Sequence, residues 1–136
     1  LVNQDSGTVY DVDTSSGYDG IYKGLIDQGC LGCHGGDAGA GDHFMFGMTA
    51  CESYKNVFMK AAITTVGVPS CKASGLSLVV PNSPDTSLLL QKLEGTQKCG
   101  SPMPCCVMAL GPSNATVMAL RAWIQAGAMP PMNCTL

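Results

Sequence analysis

The chain has 136 residues, a length that fits one domain with a modest core. Hydrophobic residues make up 46% and charged residues only 12%, with a formal net charge of −3. An acidic, sparsely charged surface excludes nucleic acid and anionic lipid as expected partners. No run of about 18 or more apolar residues occurs, so no transmembrane helix is expected.

Residues 1–16 are polar, with Asp5, Asp11, Asp13 and a Thr14-Ser15-Ser16 run, and read as an arm that lies on the surface or docks on another molecule. The domain proper is expected over 17–136. Ile21, Leu25 and Ile26 recur at helical spacing and predict a helix over 18–28, which Gly29 ends.

That helix delivers the chain into Cys30-Leu31-Gly32-Cys33-His34, the attachment signature of c-type haem. The spacing has a chemical reason. Each thiol adds to one vinyl group of the same porphyrin, and the adjacent His34 becomes an axial ligand of the iron. A thioredoxin-like reading needs a βαβ setting, which the flanks do not offer. A zinc reading needs a second ligand pair, and the vicinal Cys105-Cys106 is poorly spaced for chelation.

Gly35-Gly36 and Gly39-Ala40-Gly41 then predict a tight, flexible connection. A helix is expected over 52–62 with Tyr54, Val57, Phe58 and Ala61 on one face, broken by Val66-Gly67-Val68-Pro69. The apolar run at 76–80 is expected either to pair or to cross the haem edge. Ser83-Pro84-Asp85 reads as a helix start, with Leu88, Leu89 and Leu93 inward and a stop at Gly95. The final helix is expected to be capped by Ser113, to bury Val117, Leu120, Trp123 and Ile124, and to close at Gly127 before Pro130-Pro131. No second C-x-x-C-H is present, so one covalent haem c is implied.

The opposite face of the iron has eight methionines and His43 as candidates. Met59, Met108 and Met118 read as core filling. Met103 stands between Pro102 and Pro104 in a loop between two helices, where fixed φ angles and missing amide donors keep the chain out of helix. It is the preferred ligand; His43 is the main rival, and Met129 and Met132 trail.

Removing Cys30 and Cys33 from the eight cysteines leaves six, read as three disulfides in an oxidising compartment. With no initiator methionine at Leu1, the chain is expected to be a processed, exported form, periplasmic or extracellular. Asn114-Ala115-Thr116 and Asn133-Cys134-Thr135 match the N-glycosylation pattern, which is common by chance.

Several stretches then fit one family: Cys30-Leu31-Gly32-Cys33-His34-Gly35, Val79-Val80-Pro81-Asn82-Ser83-Pro84-Asp85-Thr86-Ser87-Leu88-Leu89, Lys92-Leu93-Glu94-Gly95, Cys99-Gly100-Ser101-Pro102-Met103-Pro104, and Ala122-Trp123-Ile124-Gln125-Ala126-Gly127-Ala128. In this order the chain resembles the small monohaem cytochrome c domains of bacterial exported proteins, over roughly 17–128. The resemblance implies an all-α, loop-rich, disulfide-stabilised domain of about four helices around one covalently attached haem. It also implies His34 and Met103 as axial ligands and a Cys71–Cys99 disulfide. Asn82 stands where such domains usually have glycine, and Cys51, Cys105, Cys106 and Cys134 are additional, with Cys106–Cys134 the expected extra cross-link.

The function so implied is one-electron transfer between redox protein partners, not enzymatic catalysis. Two alternatives remain open on sequence. One is a subunit of an extracellular haem-protein assembly, self-associating through the N-terminal arm. The other is an open iron site that binds a gas or peroxide.

Overall fold

A computed structural model describes residues 17–34, 45–63, 70–103 and 108–136, and every regular element among them is helical. Six α-helices follow in order: α1 (Tyr18–Asp27), α2 (Leu31–His34), α3 (Ala50–Val57), α4 (Cys71–Ser74), α5 (Leu88–Glu94) and α6 (Ala115–Gln125). A 3-10 turn, Pro84–Thr86, precedes α5. The described residues contain no strand, only isolated bridges. None of the helices is long and apolar enough to cross a membrane.

Helix α1 buries Tyr18, Ile21, Gly24 and Leu25, the single stripe that helical spacing sets. Helix α6 buries Thr116, Val117, Ala119, Leu120, Trp123 and Ile124. The two stripes pack on each other; α3 covers another side of α1, and α5 packs on α6. Gly24 sets how closely α1 and α6 approach. A Cβ placed there would lie 2.5 Å from Thr116 Oγ1 and 2.9 Å from its Cγ2.

Around this contact sits an aromatic cluster. The Tyr18 ring lies 4.8 Å from Trp123 and 6.0 Å from Tyr54. Burying these rings removes large apolar area from water, provided their polar tips find partners. They do: the Tyr18 and Ser53 hydroxyls are 2.8 Å apart, Tyr54 donates to Ala128 O, and Trp123 Nε1 donates to Met129 O. Burial pushes the Tyr18 phenol far above its usual range, against a smaller opposing effect of the Ser53 hydrogen bond.

The helix ends follow local chemistry. Thr49 Oγ1 accepts from the Glu52 amide while Glu52 Oε1 accepts from the Met48 amide, a reciprocal cap at the start of α3. Asn114, one residue beyond the expected Ser113, caps α6, because its carbonyl oxygen reaches the amides of both Thr116 and Val117. These contacts occupy the side-chain oxygen of Asn114, and Thr116 of the same glycosylation triplet is buried.

Two expected helices are interrupted. The helix predicted over 52–62 stops at Val57, and Ala61 is exposed rather than in the core. Beyond Phe58 the backbone pairs with the 76–79 segment: Met59 N donates to Val79 O, Ala62 N to Leu76 O, and Leu78 N to Lys60 O. The helix predicted from Ser83 breaks at Ser87. Its extended backbone bridges Ser77, its Oγ accepts from Val80 N, and the following amides of Leu88 and Leu89 donate to Ser77 O and Leu78 O. In both places non-local backbone pairing outweighs helical periodicity.

Disulfides and one ion-pair fork tie the remaining segments. Cys71 pairs with Cys99, as the resemblance implied. Cys134 pairs with Cys51, which overturns the expected Cys106–Cys134 link. The reason is the path of the C-terminal tail, which Tyr54 holds at Ala128 O and Asp19 holds at the Met132 amide, bringing it back over α1 and α3. Arg121 grips Glu94 with two donors and reaches Asp85 with one, joining α6 to α5 and the 3-10 turn. The arm 1–16, the glycine-rich connection, His43, Cys105 and Cys106 lie outside the described residues.

Replacing a mid-helix glycine by alanine ordinarily favours the helix by up to about 1 kcal/mol, but overpacking a buried contact costs about 1–3 kcal/mol. Gly24→Ala is therefore expected to lower stability by about 1–2 kcal/mol, measured by urea unfolding, because the β-branched Thr116 cannot rotate away. Thr116→Ser in the same chain is expected to return part of the loss, giving a non-zero coupling in the double-mutant cycle.

Candidate functional site

Helix α1 ends in a left-handed turn that aims the C-x-x-C-H segment. Gly29 sits at φ +88°, where a side chain would be strained. Its amide donates to Ile26 O and the Cys30 amide to Leu25 O, the paired hydrogen bonds of a Schellman motif. Cys30 itself packs against the core cluster to which Leu25 belongs. Gly29 thus ends one helix and fixes the direction in which the next begins.

Helix α2 is a single turn whose amides at Cys33 and His34 both donate to Cys30 O. That turn gathers Cys30, Cys33 and His34 on one short element. Cys33 is exposed, Cys30 is half-buried, and His34 is 7% exposed. The His34 carbonyl accepts from the Phe46 amide at 2.8 Å, and the two rings meet edge to face with centroids 5.6 Å apart. Phe46 is a site residue that the sequence reading did not single out; its position in an aromatic-rich segment after the motif was the available signal.

The thiols are chemically distinct from the other cysteines. Cys51, Cys71, Cys99 and Cys134 are oxidised in pairs, whereas Cys30 and Cys33 carry free thiols. Burial pushes the Cys30 thiol up to about 11, with the neighbouring Cys33 adding to the rise. Among the described residues no group of three or more His, Cys, Asp or Glu side chains converges to hold a metal ion by itself. Two free thiols and a buried imidazole in one turn fit a different donor set: covalent anchors for a tetrapyrrole and one protein ligand for its iron.

Of the methionines weighed as a second iron ligand, most lie at the surface. Met59, Met108 and Met118, expected in the core, are exposed, as are Met48, Met129 and Met132. Met118 points away from the buried stripe of α6, and Met59 follows the end of α3 in a left-handed conformation. Met103 instead packs against the core, the same core that Cys30 and Leu31 touch. Its amide donates to Lys92 O on α5, and Lys92 Nζ donates to Ser101 O two residues before it. Lys92 is itself 8% exposed, and burial pulls its ammonium below the usual lysine range. It enters the sequence pattern only within the Lys92-Leu93-Glu94-Gly95 stretch and without a role of its own, because a lysine on a leucine-rich helix reads as surface.

No protein-family model, curated protein or solved structure matches the chain.

In the chain carrying free thiols at both positions, a Cys30 thiol at about 11 leaves only about one thiolate in a thousand at pH 8. Iodoacetamide at that pH is therefore expected to label the exposed Cys33 at least about tenfold faster than Cys30, read by peptide mass spectrometry. Equal labelling would place Cys30 in solvent.

Proposed function

We propose that this chain is a monohaem c-type cytochrome domain that transfers single electrons between protein partners in an oxidising compartment outside the cytoplasm. The observation that carries the reading is a buried histidine with one free thiol immediately before it and a second one helical turn before it, in a chain whose other described cysteines are oxidised.

Cys30 and Cys33 would bind the porphyrin through thioethers, so that the group cannot dissociate. His34 would ligate the iron, its ring oriented by the edge of Phe46 and its backbone by the Cys30 carbonyl. Met103 would supply the opposite ligand from a loop fastened to α5. A haem held in this way supplies a ferric/ferrous couple whose potential follows from ligand identity and burial. The all-helical packing and the Cys71–Cys99 disulfide support the cytochrome c fold that the sequence motifs imply.

An open-site enzyme or gas-binding protein has less support. Arg121 is the only arginine of the chain, and two carboxylates hold it between α6 and α5. The disulfides favour an oxidising compartment.

The purified protein is expected to carry one haem that survives denaturation, with a mass increase of one haem per chain that Cys30→Ala with Cys33→Ala abolishes. Its ferric spectrum is expected to show the weak band near the red end that marks sulfur ligation. Met103→Ala is expected to remove that band and lower the reduction potential by about a tenth of a volt or more, within the ~0.8 V that axial ligands span. An unchanged spectrum in Met103→Ala would move the ligand elsewhere, and a protein without covalent haem would end the proposal.

A further inference from the structure

Two hydrogen bonds fasten the loop carrying Met103 beyond the disulfide at its root, and both come from one residue. The Lys92 carbonyl accepts from the Met103 amide at 2.9 Å, and the Lys92 ammonium donates to Ser101 O at 2.8 Å. None of the ion pairs among the described residues involves this ammonium. A buried charge without a counter-ion is unfavourable, and a leucine or methionine would fill the position without desolvating one. The neighbours of Lys92 on α5 show that choice, since Leu88, Leu89, Leu90 and Leu93 are all buried. What the ammonium adds over an apolar side chain is a charged donor to the loop.

The surroundings are cut to fit it. Gly100 adopts φ +62°, and a Cβ there would lie 2.6 Å from Lys92 Nζ and 3.2 Å from Cys71 Sγ. The glycine, the Cys71–Cys99 disulfide and the lysine head therefore share one joint at the root of the methionine loop.

We infer that Lys92 is a positioning residue for Met103, holding its loop closed so that the thioether stays available to the iron. The inference rests on Met103 being the axial ligand. Pro102 restricts the backbone before Met103, and the Cys71–Cys99 disulfide holds the root of the loop, but the hydrogen bonds at Met103 and Ser101 come from Lys92.

The test uses the ferric haem-loaded protein and two readouts: the red-end sulfur band, and a titration with imidazole, which enters when the methionine leaves. Lys92→Met keeps the side-chain stem and removes the donor. It is expected to weaken the band and tighten imidazole binding about tenfold or more, the scale of a lost hydrogen bond from a charged donor. Gly100→Ala, which intrudes on the same joint, is expected to shift both readouts in the same direction. Leu120→Ala, a core truncation in α6, is expected to lower unfolding stability yet leave both readouts at parental values. The inference is overturned if Lys92→Met and Gly100→Ala both keep the parental band and an imidazole affinity within about twofold. A parent without the sulfur band is a separate outcome, which removes the Met103 assignment and this inference together.

Discussion

The fold depends on how closely α1 and α6 approach. With glycine at position 24 the two helices meet at backbone distance, and Thr116 fills the space a side chain would take. That approach seats Tyr18 against Trp123 and places the C-terminal end of α1 where the Gly29 turn can start α2. The direction of Cys30 and His34 is thus set by a packing contact more than one helical turn upstream. A small rotation of α1 would move Cys30, Cys33 and His34 together, because α2 and the residue before it form a single turn.

The second half of the site is built by the opposite strategy. Cys30, Cys33 and His34 are local in sequence and need only a turn to bring them together. Met103 is far along the chain and reaches the core through tertiary fastening: a disulfide to α4, a backbone hydrogen bond to α5 and a lysine donor from the same helix. The local half tolerates loss of tertiary structure, whereas the remote half does not. In the proposed site a thioether would be a weak, uncharged ligand that contributes little toward organising its own loop, which leaves that task to the scaffold.

Helical periodicity made α1, α5 and α6 legible, with Ile21, Leu25, Leu88, Leu89, Leu120 and Ile124 all inside. Gly29 and Gly127 were legible as stops because each accepts a left-handed conformation. The breaks at Phe58 and Ser87 were not, since each depends on hydrogen bonds to the 76–80 segment that no local pattern encodes. The exposure of Met59, Met108 and Met118 was missed because methionine's apolar character says little about which face it occupies. Of the site, the attachment turn follows from a five-residue motif. Phe46 and Lys92 become visible only when their neighbours are known.

The two disulfides are nested: the Cys71–Cys99 loop lies wholly inside the one closed by Cys51 and Cys134. A chain that enters an oxidising space N-terminus first presents its cysteines in sequence order, and the first two outside the attachment motif are Cys51 and Cys71. Joining neighbours as they arrive would link these two, a pairing the folded protein does not contain. The native pattern therefore demands either that Cys51 stay unpaired until Cys134 arrives or that an early bond be reshuffled by thiol exchange. Cys30 and Cys33 precede all the paired cysteines in the sequence, so until they are covalently occupied they are also thiols able to attack a wrong bond. Timing, as much as geometry, is written into the spacing of the cysteines.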